Sequence, residues 1–178
     1  MGIAEKSNCS SSNILCCSNQ KTGNYWKRIQ LTNRRRKKIL SKKFNKKGNY
    51  SLNKTAKGAG VKNFDKFHNA GYKGLYNGET ADDIAQRKWL RYREDSLDNM
   101  GSDELIANLF RISQTEQKLK RDNVDNEKEA CAAHNKIGKI VRKAIKEAGG
   151  TMPENLPTPE KSLKQLEKEN KKMLDKNV

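Results

Sequence analysis

Aromatic and apolar residues are scarce in this sequence, and long apolar runs are missing altogether. Only 6% of its 178 residues are aromatic and 33% are hydrophobic, and the mean hydropathy is −1.06. Such values leave little apolar surface to bury, so we expect an extended or partly disordered protein. No apolar run approaches the roughly 20 residues of a membrane helix, and residues 1–20 lack the basic start and apolar block of a secretory signal. We therefore expect a cytoplasmic protein.

Cysteine is present but badly placed for disulfides or for metal binding. Cys9, Cys16 and Cys17 crowd the start of the chain, far from Cys131. We predict that all four are reduced thiols. Cys131 and His134 have C-x-x-H spacing, but the sequence offers no second ligand pair for a structural zinc site. We interpret them as a small core cysteine and a surface histidine, and we predict no metal and no cofactor.

Motifs of the common enzyme classes are missing as well. There is no Walker loop, no dinucleotide-binding glycine fingerprint and no HExxH zinc motif. His68 has no obvious nucleophile to serve as a base, so we interpret it as a solvated histidine beside Phe67. Two acid pairs, at 82–83 and 103–104, suit the first turns of helices and do not require a metal. From the sequence alone, we predict that this protein is not an enzyme.

Acidic residues are almost absent from the first third of the chain, and most of the net charge of +17 lies there. Residues 1–60 hold 15 Lys and Arg against one acid, a net charge of +14, whereas residues 61–178 hold 23 against 20, a net charge of +3. A polyanion would adhere to such a tract by releasing counterions, but a solvated tail is about as common. We expect residues 1–60 to be a loose basic arm, disordered or weakly helical, that contains the Cys, Ser and Asn clusters.

The second part of the chain, 61–178, has apolar residues at helical spacing. A helix is predicted over 61–70, closed by a glycine, and a compact glycine-punctuated turn over 71–78. Thr80 then caps a helix in which Ile84 and Trp89 face inward.

Three further helices are predicted downstream. One runs from Ser102 to Arg121, and another runs from about Asp125 to Ala148 until a glycine pair stops it. Prolines forbid helix over 151–157, and Thr158 caps the last helix. The apolar stripes are Leu105, Leu109, Ile112 and Leu119 on the first of these helices, and Leu163, Leu166, Met173 and Leu174 on the last. With no strand pattern, the fold is predicted to be mainly α, a loosely packed multi-helix region.

Several ordered blocks of this second part point to a known family. They are HNAGYKGLY at 68–76, QRK at 86–88, DNMGSDELIANLFR at 98–111, QTE at 114–116, KLKRD at 118–122, GGTMPE at 149–154 and LPTP at 156–159. In this order and spacing they resemble the C-terminal part of the DNA-damage-inducible protein D family over about two-thirds of the chain. The family motif turn corresponds to Gly71, Tyr72, Gly74, Leu75 and Tyr76.

The resemblance implies a function. Proteins of this family are SOS-controlled, repressed until DNA is damaged, and linked to the regulation of recombinase filaments on single-stranded DNA. We therefore expect a bacterial, non-catalytic DNA-damage response protein that modulates such filaments. The family also carries an N-terminal domain that resembles viral BRO proteins; we expect this chain to lack that domain, together with any activity that depends on it.

Residues 1 to about 43 do not resemble the family as written. Read one nucleotide later, with permitted codons for Ser7 through Lys43, they give a string that resembles the family segment just upstream of Asn45. We hypothesise that this leader is an out-of-frame translation that contributes no native packing. Its basic charge and cysteines would then not belong to the fold.

Two surfaces are candidates for binding. The first hypothesis is a face on the helix from Ser102 to Arg121 that contacts a recombinase–DNA assembly; the alternative is an ordinary solvated helix face. The residues of this predicted partner-binding face are Asn108, Arg111, Gln114 and Glu116.

The second hypothesis is a basic nucleic-acid-binding module in which cations contact phosphate while aromatic rings stack on bases. The alternative is a helix end whose Trp89 packs inward while its cations stay in solvent. A phage-type antirepressor or transcription regulator is a weaker variant. The residues of this predicted nucleic-acid-binding site are Arg87, Lys88, Trp89, Arg91, Tyr92 and Arg93.

Overall fold

The computed structural model describes residues 37–91 and 94–175, and every regular element within them is helical. The predicted mainly α fold is confirmed. Residues 1–36, with three of the four cysteines, lie outside the described part, as do Tyr92, Arg93 and the side chains of Met173 and Leu174. The helices are α1 (37–58), α2 (Phe64–Leu75), α3 (Ala81–Arg87), α4 (Ser102–Arg121), α5 (Glu127–Glu147) and α6 (Leu163–Asp175), with short 3-10 turns at Ser96–Asn99 and Pro153–Asn155.

Polar side chains define where these helices begin. The Asn63 side chain accepts a hydrogen bond from the Lys66 N–H at 2.9 Å at the start of α2, and Asn126 caps α5 in the same way. Thr80 starts α3 as predicted, with Asp83 completing a capping box. Each such cap satisfies N–H groups that have no partner inside the helix, and it is typically worth about 1 kcal/mol.

Helix α1 corrects the expected loose arm in its described part. Leu52 and Ala56 are fully buried, and the buried Asn45 side chain donates a hydrogen bond to the Leu105 carbonyl oxygen at 2.8 Å. The backbone at Gly48 approaches Ile112, so that a β-carbon there would lie 3.2 Å from its side chain. The thin apolar stripe suffices because small and polar residues bring α1 close to α4.

The first residues of α1 belong to the leader that was expected to contribute no packing, and they do pack. Ser41 is buried, Lys42 pairs with the buried Asp98, and Lys38 donates to the Lys161 carbonyl oxygen at 3.4 Å. Burial lowers the pKa of both Lys38 and Lys42. The expectation of no native packing is therefore wrong for residues 37–43. The out-of-frame hypothesis itself stays a prediction, which the nucleotide sequence through codon 45 tests.

Helix α2 runs through the segment predicted to be a glycine-punctuated turn. Gly71 and Gly74 are buried helical residues, and the chain leaves the helix only at Tyr76. A β-carbon at Gly74 would lie 3.0 Å from Gly138 Cα, and one at Gly138 would lie 2.8 Å from the Gly71 carbonyl oxygen. The glycines therefore serve close contact between α2 and α5, and not chain reversal.

Two apolar clusters form the core. One joins Leu75 and Ile84 to Leu105, Val141 and Leu163. The other joins α1, α2, α4 and α5, and its buried members are Leu52, Ala56, Val61, Phe67, Ile112, Leu119, Ala130 and Ala133. The predicted apolar stripe on α4 is confirmed at its three buried positions, whereas Leu109 is half-buried.

The last helix begins later than predicted. Ser162 and Gln165 exchange side-chain hydrogen bonds with each other's backbone N–H, at 3.3 and 2.9 Å, and the helix starts at Leu163. Thr158 stays in the extended connector because this reciprocal cap fixes the first turn four residues further on. No described helix is both long enough and apolar enough to cross a membrane.

Candidate functional site

Helix α4 carries a stripe of polar residues on its buried side. Glu104, Asn108, Arg111 and Thr115 recur at helical spacing, and each is at most 1% exposed. Residues on or next to α2, α3 and α5 supply their hydrogen-bond partners. The result is a continuous chain of hydrogen bonds through the interior of the protein.

The acid of this chain is Glu104, which has two buried partners. Lys88, the residue that follows α3, forms an ion pair with one carboxylate oxygen at 2.8 Å, and both side chains are fully buried. The Tyr76 hydroxyl donates to the other oxygen at 2.9 Å. Burial and the adjacent carboxylate raise the pKa of Tyr76 well above its usual value. Tyr76 is therefore a neutral hydrogen-bond donor at any physiological pH.

The middle of the chain is Asn108. Its amide nitrogen donates to the Tyr76 hydroxyl at 2.7 Å and to the Glu104 carbonyl oxygen at 3.0 Å. Its amide oxygen accepts from Arg111 Nη2 at 3.0 Å. Both ends of the amide are thus occupied, which fixes its orientation and links the acidic and basic ends of the network.

At the basic end, Arg111 meets His134. Arg111 Nη1 lies within hydrogen-bond reach of His134 Nε2, and His134 Nδ1 lies 3.0 Å from the Phe67 carbonyl oxygen. The carbonyl can only accept, so Nδ1 carries the proton and Nε2 accepts from the guanidinium. Burial and the Arg111 charge hold the pKa of His134 well below its usual value. His134 is therefore a neutral core residue, and its interpretation as a surface histidine is wrong.

Arg111 is a buried cation whose direct contacts are neutral. Besides Asn108 and His134, its guanidinium lies 4.8 Å from the centre of the Tyr72 ring, in a cation–π arrangement. Its Nε has no hydrogen-bond partner among the described residues. Burial lowers its pKa, but an arginine stays charged in proteins. The fold therefore tolerates a buried charge that is held by dipoles and an aromatic face.

A second histidine lies beside this end of the network. His68 Nε2 is 2.7 Å from the Asn53 side-chain oxygen, and its ring meets the Phe67 ring edge-on. Burial, followed by the charge of Arg111, lowers the pKa of His68 to about 4. The ring is half-buried, so its interpretation as a solvated histidine is also corrected.

The network satisfies the hydrogen-bonding groups of the polar side chains that α4 buries, and it offers little chemistry. Its atoms are sealed from solvent, and it contains no Ser, Cys or Lys nucleophile next to a free base. Within the described residues, no group of three or more His, Cys, Asp or Glu side chains is arranged to hold a metal ion. Binding surfaces must therefore be sought on the outside of the fold.

The predicted partner-binding face is only partly on that outside. The prediction is wrong for Asn108 and Arg111, because α4 turns them into the core. Gln114 and Glu116 are half-buried, and Glu116 accepts hydrogen bonds from Ser51 and from Lys120. A surface made of these four residues does not exist.

The predicted nucleic-acid-binding site divides in the same way. Lys88 is buried with Glu104, and Arg87 is held by Glu79 at 3.0 to 3.1 Å and by the Glu154 carbonyl oxygen at 3.0 Å. Trp89 is 92% exposed, and Arg91 is exposed as well. The alternative of an inward-packing Trp89 is wrong. Of the four residues of this predicted site that the structure describes, Trp89 and Arg91 are accessible.

The turn that follows α3 explains the exposure of Trp89. Its N–H bonds to the Gln86 carbonyl oxygen, and the Leu90 N–H bonds to the Ala85 carbonyl oxygen, each at 3.0 Å. This is a Schellman motif, in which the residue after the cap takes a left-handed conformation and is usually glycine. Trp89 has φ 54° there. A bulky side chain in this position is strained and is turned away from the core.

Sequence reasoning missed Glu104 and His134 as members of a buried network. A signal existed: polar residues at 104, 108, 111 and 115 repeat with the same helical spacing as the apolar residues of α4. Such a stripe is compatible with solvent or with a polar interior, and only the partners on other helices distinguish the two.

Comparisons with known proteins give a matching family model and a similar curated protein. A family model described as the DinD C-terminal domain matches residues 31–166. The DNA damage-inducible protein D of Escherichia coli (strain K12) is 51% identical to this chain over 125 residues, which cover 68% of this chain and 46% of that protein. The chain thus spans about half the length of this curated relative. No solved structure matches it.

Proposed function

We propose that this chain, which belongs to the DinD C-terminal domain family, acts in the bacterial response to DNA damage. Within that response we propose an SOS-controlled, non-catalytic role: the chain modulates recombinase filaments on single-stranded DNA. The relative's name, DNA damage-inducible protein D, supports the first part. The surface of the described residues supports a contact with single-stranded DNA, through Trp89, an exposed aromatic residue from which the fold gains little.

Trp89 is the observation that carries the contact with single-stranded DNA. Its ring is 92% exposed and its backbone is strained, so the fold itself gains little from a tryptophan at this turn. Exposed aromatic rings stack on unpaired bases, and a neighbouring cation such as Arg91 contacts the phosphates. A recombinase filament is assembled on such single strands, so this turn would bring the chain to them.

The test uses the full chain, a purified bacterial recombinase and poly(dT). We expect the chain to change the single-strand-dependent ATP hydrolysis of the recombinase, and to bind poly(dT) in a salt-dependent manner. Trp89→Ala should weaken poly(dT) binding about five- to a hundredfold, because stacking on one base is worth roughly 1–3 kcal/mol. The effect on ATP hydrolysis should fall with it.

Tyr50→Ala is the matched control, because Tyr50 is an aromatic residue on α1 that is 76% exposed. This variant should bind and act like the unchanged chain. If both variants bind poly(dT) equally well, the turn does not hold the DNA and the proposed role of Trp89 is contradicted. An unchanged rate of ATP hydrolysis with the full chain would contradict the recombinase proposal.

A preference for duplex DNA over poly(dT) would favour the antirepressor or transcription-regulator alternative. That alternative has less support from the geometry, because a single protruding ring suits unstacked bases better than a groove.

A further inference from the structure

Helix α1 is basic along its whole length. Its residues, 37–58, include eight lysines and no aspartate or glutamate. Four of these lysines are exposed and form a row on the solvent side of the helix, at positions i, i+4, i+11 and i+14. With about 1.5 Å of rise per residue, the row is roughly 21 Å long. We call this row the lysine ridge, and its members are Lys43, Lys47, Lys54 and Lys57.

The fold does not neutralise the lysine ridge. The acidic side chains that α1 meets are engaged by residues outside the ridge. Asp98 pairs with the buried Lys42, and Asp95 lies 3.8 Å from the Lys46 ammonium. Glu116 of α4 accepts hydrogen bonds from other side chains. In the part of the chain that the structure describes, no acidic side chain forms an ion pair with a ridge lysine.

The charges of the ridge also repel one another. Lys43 and Lys47 are four residues apart, and Lys54 and Lys57 are three apart. Like charges at this spacing destabilise a helix. Since α1 packs on the core through its opposite side, the fold gains nothing from a row of ammonium groups here. A bound polyanion would remove the repulsion, and the ridge would attract it.

The composition of the ridge favours a nucleic acid over an acidic protein. Interfaces between proteins are depleted of lysine and have an apolar centre, whereas protein–DNA interfaces are polar and strongly positive. The exposed aliphatic and phenyl side chains of α1, on Leu40 and Phe44, lie near one end of the ridge. A single narrow row suits the backbone of one strand, because a helix inside a duplex major groove has phosphates on both of its sides.

We propose that the lysine ridge binds the phosphate backbone of single-stranded DNA, without regard to base sequence. Its ammonium groups neutralise phosphates and release the counterions of the strand. The inference deepens the function proposed above and rests on it for the kind of ligand. The two contacts differ in their physics: Trp89 stacks on a base, whereas the ridge acts through charge alone. They therefore leave different signatures in the salt dependence of binding.

The test measures the affinity of the full chain for poly(dT) between about 50 and 200 mM NaCl. Each phosphate contact on a single strand contributes about 0.7 to the slope of log affinity against log salt. A triple variant, Lys47→Gln, Lys54→Gln and Lys57→Gln, should therefore lower the magnitude of the slope by about 2. All three positions follow residue 43, so the result does not depend on the out-of-frame hypothesis.

The matched control removes three charges from another helix. Lys136→Gln, Lys139→Gln and Lys146→Gln change exposed residues of α5, and this triple variant should keep the slope of the unchanged chain. Tyr50→Ala keeps every ridge lysine and should keep the slope too. Trp89→Ala should lower the affinity at each salt concentration without changing the slope. A failure of the Trp89 contact is thus seen in the affinity, and a failure of the ridge in the slope.

Two results overturn the proposal. One is an unchanged slope in the ridge variant. The other is an equal loss of slope in both triple variants, because net charge and not the ridge would then hold the strand. If the ridge variant keeps its slope with poly(dT) but loses affinity for polyglutamate, the ridge serves an acidic protein instead.

Discussion

Helix α4 buries Glu104, Asn108 and Arg111 on one side and leaves Ile106 and Phe110 largely exposed on the other. A surface helix of a globular protein normally has the opposite polarity, with its polar face in solvent. Leu105 and the apolar residues below it still anchor α4 in the core. The inversion is therefore confined to the two flanks of that stripe, and each flank has its own explanation.

The buried flank consists of mutually dependent polar contacts. A buried ion pair adds little net stability over a well-packed apolar pair, but the removal of one partner leaves an uncompensated charge in the interior. The exposed flank consists of apolar atoms that touch solvent on one side. Substitutions on the two flanks should therefore have very different consequences for folding.

Glu104→Ala should have the largest effect. The substitution removes the carboxylate from buried Lys88 and from the Tyr76 hydroxyl. Breaking a buried ion pair in this way costs about 3–5 kcal/mol. Urea denaturation should show this loss as a lower midpoint with a similar slope.

The control removes both charges of the pair. A Glu104→Leu and Lys88→Met double variant deletes the charges while keeping side-chain volume, and it should recover most of the lost stability. Equal destabilisation by the double variant would show that packing and not charge dominates at this flank.

Lowering the pH should destabilise the protein over the range between the unfolded and folded pKa values of its two histidines. The folded-state pKa of His68 is about 4 and that of His134 is also lowered, against about 6.5 unfolded. Between these values the unfolded chain binds more protons than the folded chain. The contribution of the histidines to the free energy of unfolding is therefore fully present above pH 6.5 and decreases as the pH falls towards 4.

The size of this loss in the free energy of unfolding follows from the pKa shift. At about 1.4 kcal/mol per pH unit, His68 alone contributes at most about 3 kcal/mol of loss between pH 6.5 and 4.5, and less because its ring is half-buried. Urea midpoints at pH 7.5, 6 and 5 measure the trend. His68→Gln should flatten it; an unchanged trend would assign the acid sensitivity to His134 or elsewhere.

Gly138→Ala tests the contact between α2 and α5 that encloses the basic end of the network. The new methyl group would lie 2.8 Å from the Gly71 carbonyl oxygen and 2.9 Å from Gly74 Cα. Overpacking of this kind costs typically 1–3 kcal/mol. Gly58→Ala is the matched control, since nothing lies within 4 Å of its added methyl group, and it should be neutral or slightly stabilising.

The helical fold and its caps could be predicted from the sequence because periodicity and capping are local. Thr80 and the start of α4 are examples, as are the buried positions of Leu105 and Ile112. The course of α2 through Gly71 could not be predicted, because a glycine that ends a helix and one that admits a neighbouring helix have the same local signature. That distinction depends on α5, 60 or more residues away.

The candidate site was less predictable for the same physical reason. Asn108, Arg111 and Lys88 look like solvent-facing residues when their own helix is considered alone. Their burial depends on partners from other helices. Arg111 meets His134 on α5, and Lys88 meets Glu104 on α4. Conversely, Trp89 looks like a core residue by composition, and it is exposed because the Schellman turn directs it outwards.

The smallest effect is expected on the exposed flank of α4. Phe110→Ser removes a ring that is already 51% exposed, so the free energy of unfolding should change by about 1 kcal/mol or less. Leu105→Ala, five residues earlier on the same helix and fully buried, should cost about 2–5 kcal/mol. Both values come from urea denaturation of the full chain. If Phe110→Ser destabilised the fold as much as Leu105→Ala, Phe110 would be a core residue of this chain, and the outward side of α4 would not be a free surface.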